Sequence, residues 1–291
     1  MANNILITGA TSNISATIIK HLVSQSPTTT IAALVRDSKK AEHLKTMGVE
    51  LRIGDFEKPI TLNKVFTGID TAFILTAPSP RAPEQFSNAL WAARQAGVKR
   101  IVRLSAFGAE YNAPTINSRL HALSDNELIA SGITYTIIKP HFFMQNLAMT
   151  IKNSIEEGVL RFALGNGKLA MVDTSDIAEF AAKILISNGH DNTVYTITGP
   201  ESISLHDVAL TISKIINKSI KYDPVSVEQI LSAMSNMGID EFSLNLFRDY
   251  LNAYSDNWGN SISNDFLNVM GKPARNITAF LNHLLVQTHT K

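Results

Sequence analysis

Six short runs rich in β-branched residues, each followed by a stretch of helical length or by a turn, most limit what this chain can fold into. The runs are Asn4–Thr8, Thr30–Val35, Val49–Ile53, Thr71–Leu75, Arg100–Ser105 and Thr134–Lys139. They are apolar on both faces, as strands inside a parallel sheet are. Between them Ile14–Gln25, Ser38–Met47, Thr61–Phe66, Pro83–Ala96 and Ile116–Ala130 are the expected helices. This alternation predicts βαβ units and an α/β, doubly wound parallel sheet. Gly48, Gly97 and Gly132 each stand between a helix and the next strand, where a left-handed residue closes a helix.

The pattern changes after Pro140. Phe142–Glu157 reads as a helix with Phe143, Leu147 and Ile151 on one stripe, and Gly165-Asn166-Gly167 reads as a hairpin turn. Thr174–Ser187 and Leu205–Asn217 are expected helices, Thr193–Thr198 a strand, and the remainder is mostly helical. Hydrophobic residues make up 45% of the chain and charged ones 18%, which argues for a packed core and against disorder.

Charge and cysteine usage remove several function classes. Lys plus Arg number 26 against 25 Asp plus Glu, a net charge of +1, so no basic field draws in nucleic acid. The absence of cysteine removes disulfides, thiolate nucleophiles, iron–sulfur clusters and cysteine-ligated zinc. No His-Glu-x-x-His or similar spacing occurs, so no metal is expected. The opening residues lack a basic segment leading into an apolar run, and no run reaches ~18 apolar residues. The expected setting is the cytoplasm, with no membrane partner.

The first strand leads directly into Thr8-Gly9-Ala10-Thr11-Ser12-Asn13-Ile14-Ser15 and then a helix. In a dinucleotide-binding fold this turn places a pyrophosphate on the helix N-terminus. Three glycines usually serve it; here Gly9 remains, and Ser12 and Ser15 occupy the other two places. The turn is open to two readings. Ser12 donates its hydroxyl to a phosphate, or Ser12 or Asn13 merely caps an ordinary helix. At the end of the second strand, where an NAD-specific fold carries an acid, stands Arg36, followed by Lys39 and Lys40. A cation there favours the 2′-phosphate of NADP(H); the alternative is a solvated turn, with Asp37 capping the next helix.

Several motifs together resemble the NmrA-like family of atypical short-chain dehydrogenases. They are Thr8–Thr11, Gly54-Asp55, Ser131–Pro140, His141–Leu147, Gly165–Lys168, Ser175–Ala178 and Thr198–Ser204. The similarity spans nearly the whole chain. It points to the branch holding type 2 quinone oxidoreductase, triphenylmethane reductase and festuclavine dehydrogenases. The resemblance implies a Rossmann core over residues 1–140 that binds NAD(P), and a smaller, mostly helical substrate lobe over 141–291. The lobe is interleaved with the last core elements in one continuous structural unit.

It also implies the cofactor contacts: Thr8, Gly9, Thr11, Ser12, Asn13 and Ile14 at the turn, and Asp55 and Phe56 beside the adenine. Thr76 and Ala77 would lie under the cofactor, and Ser105 and Pro140 beside the nicotinamide. Phe107, His141, Phe142, Phe143 and Met144 would line a substrate pocket. The family's usual Leu-Arg-Pro is here Ile138-Lys139-Pro140.

Orthodox short-chain dehydrogenases carry a Tyr and a Lys four apart on a helix. Tyr135 and Lys139 have that spacing but lie in a β-branched run, where four residues of strand hold side chains ~13 Å apart. On the helix after the fifth strand no matching pair exists, and Tyr111, ahead of it, is followed at plus four by Thr115. A site without the dyad suits quinones, cationic dyes and iminium ions, which accept hydride without a strong acid. His121 is the candidate acid, with Asp125 one helical turn on and expected to raise its pKa; an exposed helix pair is the alternative. The expected activity is NADPH-dependent reduction of a small hydrophobic electrophile, quinone-like or otherwise conjugated or cationic. The other class is a non-catalytic NADP(H) sensor that binds a partner protein. A homodimer is left open.

Overall fold

The computed structural model describes residues 3–26 and 28–289. Seven strands form one sheet in the order β3-β2-β1-β4-β5-β6-β9. They are β1 (Asn4–Ile7), β2 (Thr30–Val35), β3 (Glu50–Ile53), β4 (Thr71–Ile74), β5 (Arg100–Leu104), β6 (Thr134–Pro140) and β9 (Thr193–Ile197). Neighbours from β3 through β6 pair in parallel. The direction of winding reverses between β1 and β4, and ligands of open α/β sheets bind at such a reversal. Crossovers include α1 (Asn13–Gln25), α3 (Ala82–Gln95) and α4 (Ile116–Ala130). Gly48, Gly97 and Gly132 adopt φ of +80°, +76° and +77° at the three helix-to-strand returns.

Two expected helices fail locally. Thr61–Phe66 is not an α-helix; a 3₁₀ turn covers Pro59–Leu62. The Thr61 hydroxyl donates to the Lys58 carbonyl and accepts from the Asp55 N–H, side-chain bonds that compete with helix formation. Ser38–Met47 breaks into a 3₁₀ turn, Lys39–Ala41, and one turn of α2, Glu42–Lys45.

The chain forms two compact units. The first holds Met1–Ala113, Asn117–Lys139 and Ile177–Tyr195, and the second Pro114–Ile116, Pro140–Asp176 and Thr196–Lys291. In the second, residues 142 and 143 are extended rather than helical. The Val172 N–H donates to the Phe142 carbonyl, and the Met144 N–H to the Val172 carbonyl, so α5 starts only at Ala148 and runs to Glu157. The glycine turn at 165–167 does not make a hairpin. Strand β7 (Val159–Phe162) pairs in parallel with β11 (Lys221–Pro224), whereas β8 (Lys168–Leu169) pairs antiparallel with β10 (Ile203–Ser204). Gly167 is fixed by crowding: a Cβ there would lie 2.1 Å from the Tyr254 carbonyl oxygen. Asp176 accepts from the backbone N–H and the guanidinium of Arg275.

Candidate active site

The turn after β1 is built almost wholly from short-range bonds. Gly9 sits at φ +60°, and a Cβ would meet the Leu75 side chain at 3.0 Å; both facts require glycine. Ser12 is the N-cap of α1, accepting the Ser15 N–H at 3.2 Å. Ser15, in the place of the third glycine, is fully buried and donates to the Thr8 carbonyl at 2.8 Å. Its hydroxyl thus stays on strand β1 and does not enter the turn. The Ser12 N–H is taken by the Gly9 carbonyl and the Ala16 N–H by the Ser12 carbonyl. Helix geometry then leaves the N–H groups of Asn13 and Ile14 as open donors at the positive end of α1.

Thr8 stands apart from its expected role. It is wholly buried, and its hydroxyl accepts the Leu75 N–H at 2.9 Å, so it ties β1 to the end of β4 behind the turn. One residue past Leu75, Thr76 is 8% exposed, and its Oγ1 has no partner among the described residues. A glycine cradle, two open N–H groups and an orphaned hydroxyl at the sheet's reversal fit a dinucleotide phosphate. Thr11, Asn13 and Ala77 are exposed, and Ile14 turns its side chain into the core.

Arg36 lies exposed just beyond β2, as do Lys39 and Lys40. The Asp37 carboxylate accepts the Lys39 N–H at 2.9 Å and so is occupied by its own turn. Gly54 is fixed by packing, since a Cβ would lie 2.8 Å from Val65. Asp55 and Phe56 are half-buried; Asp55 accepts the Glu57 N–H, and the Phe56 carbonyl accepts from Asn88.

A charged cluster joins β5, α4 and β6. Arg103 and Asp125 are 1% and 3% exposed. Arg103 Nε donates to Asp125 Oδ1 at 2.7 Å, and Ser105 Oγ to Asp125 Oδ2, also at 2.7 Å. Ser105, expected beside the nicotinamide, therefore spends its hydroxyl on Asp125. Lys139 Nζ donates to the Ala109 carbonyl and lies 3.7 Å from Asp125. The guanidinium of Arg103 rests 4.2 Å from the centre of the Phe86 ring, a favourable cation–π placement.

His121 is half-buried on α4 and does not pair with Asp125. Its Nδ1 lies 3.1 Å from Arg103 Nη2. Burial foremost, then the charges of Arg103 and Lys139, push its pKa down to about 3. The expectation that Asp125 raises it is thus overturned, because that carboxylate is already shared by Arg103 and Ser105. The outer side of the cluster borders a cavity of about 400 Å³ walled by Tyr111, Ile129, Ile137 and Val194. Tyr135 and Lys139 lie four residues apart on β6. Phe107 is half-buried, and its carbonyl accepts from Ser118.

In the second unit, Phe142 and Met144 are core residues rather than free walls, while Phe143 is half-buried. Pro140 is buried. His141 is 1% exposed, and its Nδ1 accepts the Phe142 N–H at 2.7 Å. Burial pushes its pKa down to about 3. Its ring stacks on Tyr254 at 5.7 Å, and Phe142 meets the same tyrosine edge-on at 5.6 Å. Tyr250 and Trp258 also pack on Tyr254. Burial raises the Tyr254 pKa well above 10. Sequence reasoning missed this aromatic centre, although Tyr250, Tyr254 and Trp258 recur every four residues, the spacing of one helical face.

No group of three or more His, Asp or Glu among the described residues is placed to hold a metal ion. No helix among them is long and apolar enough to cross a membrane.

A reversal-point turn of this kind, on this sheet order, defines a dinucleotide-binding protein of the Rossmann class. The comparisons agree. The family described as NAD(P)H-binding matches residues 9–188. An NAD(P)H azoreductase of Xenophilus azovorans is 31% identical over 95% of this chain and 96% of its own. Quinone oxidoreductase 2 of Escherichia coli is 27% identical, covering 96% and 98%. Among solved structures, the NADPH complex of an E. coli NADPH-dependent quinone oxidoreductase superposes with a TM-score of 0.90 at 26% identity, covering 97% and 99%. A Citrobacter triphenylmethane reductase complexed with NADP(H) gives 0.89 at 26%, covering 96% and 99%. The chain belongs to the NAD(P)H-binding family, in its NmrA-like atypical short-chain dehydrogenase branch, and is an NAD(P)H-dependent oxidoreductase.

Proposed function

We propose that this chain is an NADPH-dependent reductase that passes hydride to a small quinone-like or otherwise conjugated or cationic electrophile. The observation that carries the reading is the turn after β1. Gly9 keeps it open, and Asn13, Ile14 and Thr76 offer it unspent donors. A nicotinamide nucleotide, when bound, supplies the hydride. The chain's own residues bind and orient. The α1 N-terminus, which Ser12 caps, takes the pyrophosphate, and Arg36 takes the 2′-phosphate, which separates NADPH from NADH. Asp55 and Phe56 border the adenine, and Ala77 the cofactor.

His121 serves the electrophile as a hydrogen-bond donor. With its pKa near 3 it is neutral at pH 7 and carries no imidazolium proton to give. That suits electrophiles which delocalise incoming charge better than simple ketones, whose alkoxide needs an acid. Phe107 in the first unit is assigned to apolar contact with the electrophile. The relatives support this range: their names include an azoreductase, a quinone oxidoreductase and a triphenylmethane reductase.

The test is NADPH oxidation followed at its near-ultraviolet band with a panel of quinones, azo dyes, triphenylmethane dyes and simple ketones. Turnover of the conjugated acceptors but not the ketones is expected. Tight NADPH binding with no turnover of any acceptor would point instead to a dinucleotide sensor. The cytoplasm, where NADPH is the common reductant, is the compartment this reading assigns. A homodimer belongs to the same reading: Trp91 on α3 and Leu123 and Ile129 on α4 expose apolar surface, and light scattering measures the mass in solution.

A further inference from the structure

The geometry points to Arg103 and Asp125 as positioning residues that hold His121 in a single tautomer, with its proton on Nε2 and its lone pair on Nδ1. A guanidinium has only donors and does not lose its proton in a protein. An Arg103 N–H facing His121 Nδ1 at 3.1 Å therefore requires a bare nitrogen, and the remaining ring proton must be on Nε2.

Arg103 has little freedom to release that bond. It is buried on β5, its Nε is held by Asp125 at 2.7 Å, and its face lies against Phe86. Asp125 is fixed in turn. Its second oxygen accepts from Ser105, and Lys139 approaches within 3.7 Å. The carboxylate one helical turn from His121 is thus turned away from it and works through Arg103.

The charges around the ring favour the same state. Arg103 on β5 and Lys139 on β6 both oppose an imidazolium. Asp125 on α4 is shared among two cations and a hydroxyl. Glu127 on α4 acts on Arg103 and itself accepts from Ser87.

The consequence rests on the proposed reductase reading. His121 is a donor whose state does not change across the working pH range. It polarises the acceptor atom and delivers no proton. Hydride from the nucleotide and a proton from solvent together complete the two-electron reduction of a quinone to its hydroquinone. Arg103 and Asp125 touch neither cofactor nor electrophile in this scheme.

The experiment is a long-range proton–nitrogen NMR spectrum of protein labelled with nitrogen-15 histidine, with His121→Gln to assign the ring. Between about pH 5 and 8, the span in which an ordinary histidine titrates, the His121 signals are expected to stay fixed. They should show an unprotonated Nδ1. A proton on Nδ1, or titration near the usual histidine value, would overturn the inference, and the wild-type spectrum alone decides this. The double variant R103Q/D125N keeps hydrogen-bonding shape without leaving a lone buried charge. In it the ring is expected to lose its single tautomer and bind protons at least tenfold more tightly. A double variant with the wild-type spectrum would overturn the role of the pair. The catalytic reading fails separately: full kcat/KM in His121→Leu would contradict it, whatever the tautomer.

Discussion

The turn after β1 and the cluster between β5 and α4 solve the same problem, arranging polar groups near the ends of a buried sheet, by opposite means. In the turn the side-chain bonds are neutral and mostly local. Ser12 reaches three residues and Ser15 seven. In the cluster a buried ion pair, Arg103 with Asp125, also holds the neutral His121, and the partners lie about twenty residues apart in sequence. A net of local neutral bonds tolerates exchange of one small residue for another. A buried ion pair does not, because loss of one partner strands the other charge in a low dielectric. Such a net accommodates serines at two places where a dinucleotide-binding turn usually carries glycines.

The comparison breaks first at Asp125. Asp125→Ala leaves Arg103 buried without its carboxylate and should cost about 3–5 kcal/mol, a fall in Tm of roughly 10 °C in a thermal melt. A melt unchanged from wild type would mean that the cluster is as tolerant as the turn.

Acid should come next, and should act through the histidines rather than the turn. His121 and His141 have pKa values near 3 in the folded chain, against about 6.5 when unfolded. Below pH 6.5 the unfolded chain takes up protons that the folded one refuses, so stability falls as pH drops from about 6.5 towards 3. Between pH 7 and 5 His141 alone contributes a loss of about 2 kcal/mol. Denaturant midpoints measured across that range check it, and replacing His141 with Gln should flatten the slope.

Gly9→Ala tests the one rigid point of the turn. The left-handed backbone and the Leu75 contact should cost about 1–2 kcal/mol and weaken NADPH binding about tenfold or more in a fluorescence titration. The smallest effect belongs to Ser12→Gly. Glycine at an N-cap costs only a few tenths of a kcal/mol relative to serine, and NADPH affinity should stay within about twofold. A large loss would assign the Ser12 hydroxyl a direct phosphate bond that its cap role does not require.

The sheet was legible because each strand announces itself locally. Runs such as Thr30–Val35 and Thr71–Ile74 are apolar on both faces, and glycine marks each return. The second unit was less so because its small sheets are joined at a distance. Nothing within Gly165–Lys168 tells that β7 looks to β11 and β8 to β10. The site divides the same way. Gly9 and Arg36 could be placed from their position along β1 and β2, since the turn is made by neighbours. The partner of Asp125 could not: Arg103 lies 22 residues away on another element, and helical spacing alone pointed to His121. The four-residue recurrence of Tyr250, Tyr254 and Trp258 is the one local signal of the aromatic centre.

The most direct test of the account is an equilibrium titration of the wild-type chain with NADPH and with NADH, followed by nucleotide fluorescence and repeated with Arg36→Ala. Saturable binding of NADPH, tighter than NADH by about tenfold or more and reduced to parity by Arg36→Ala, is the predicted result, as expected for loss of one phosphate-pairing cation. Equal affinities in the wild type, or no saturable binding of either nucleotide, would contradict it.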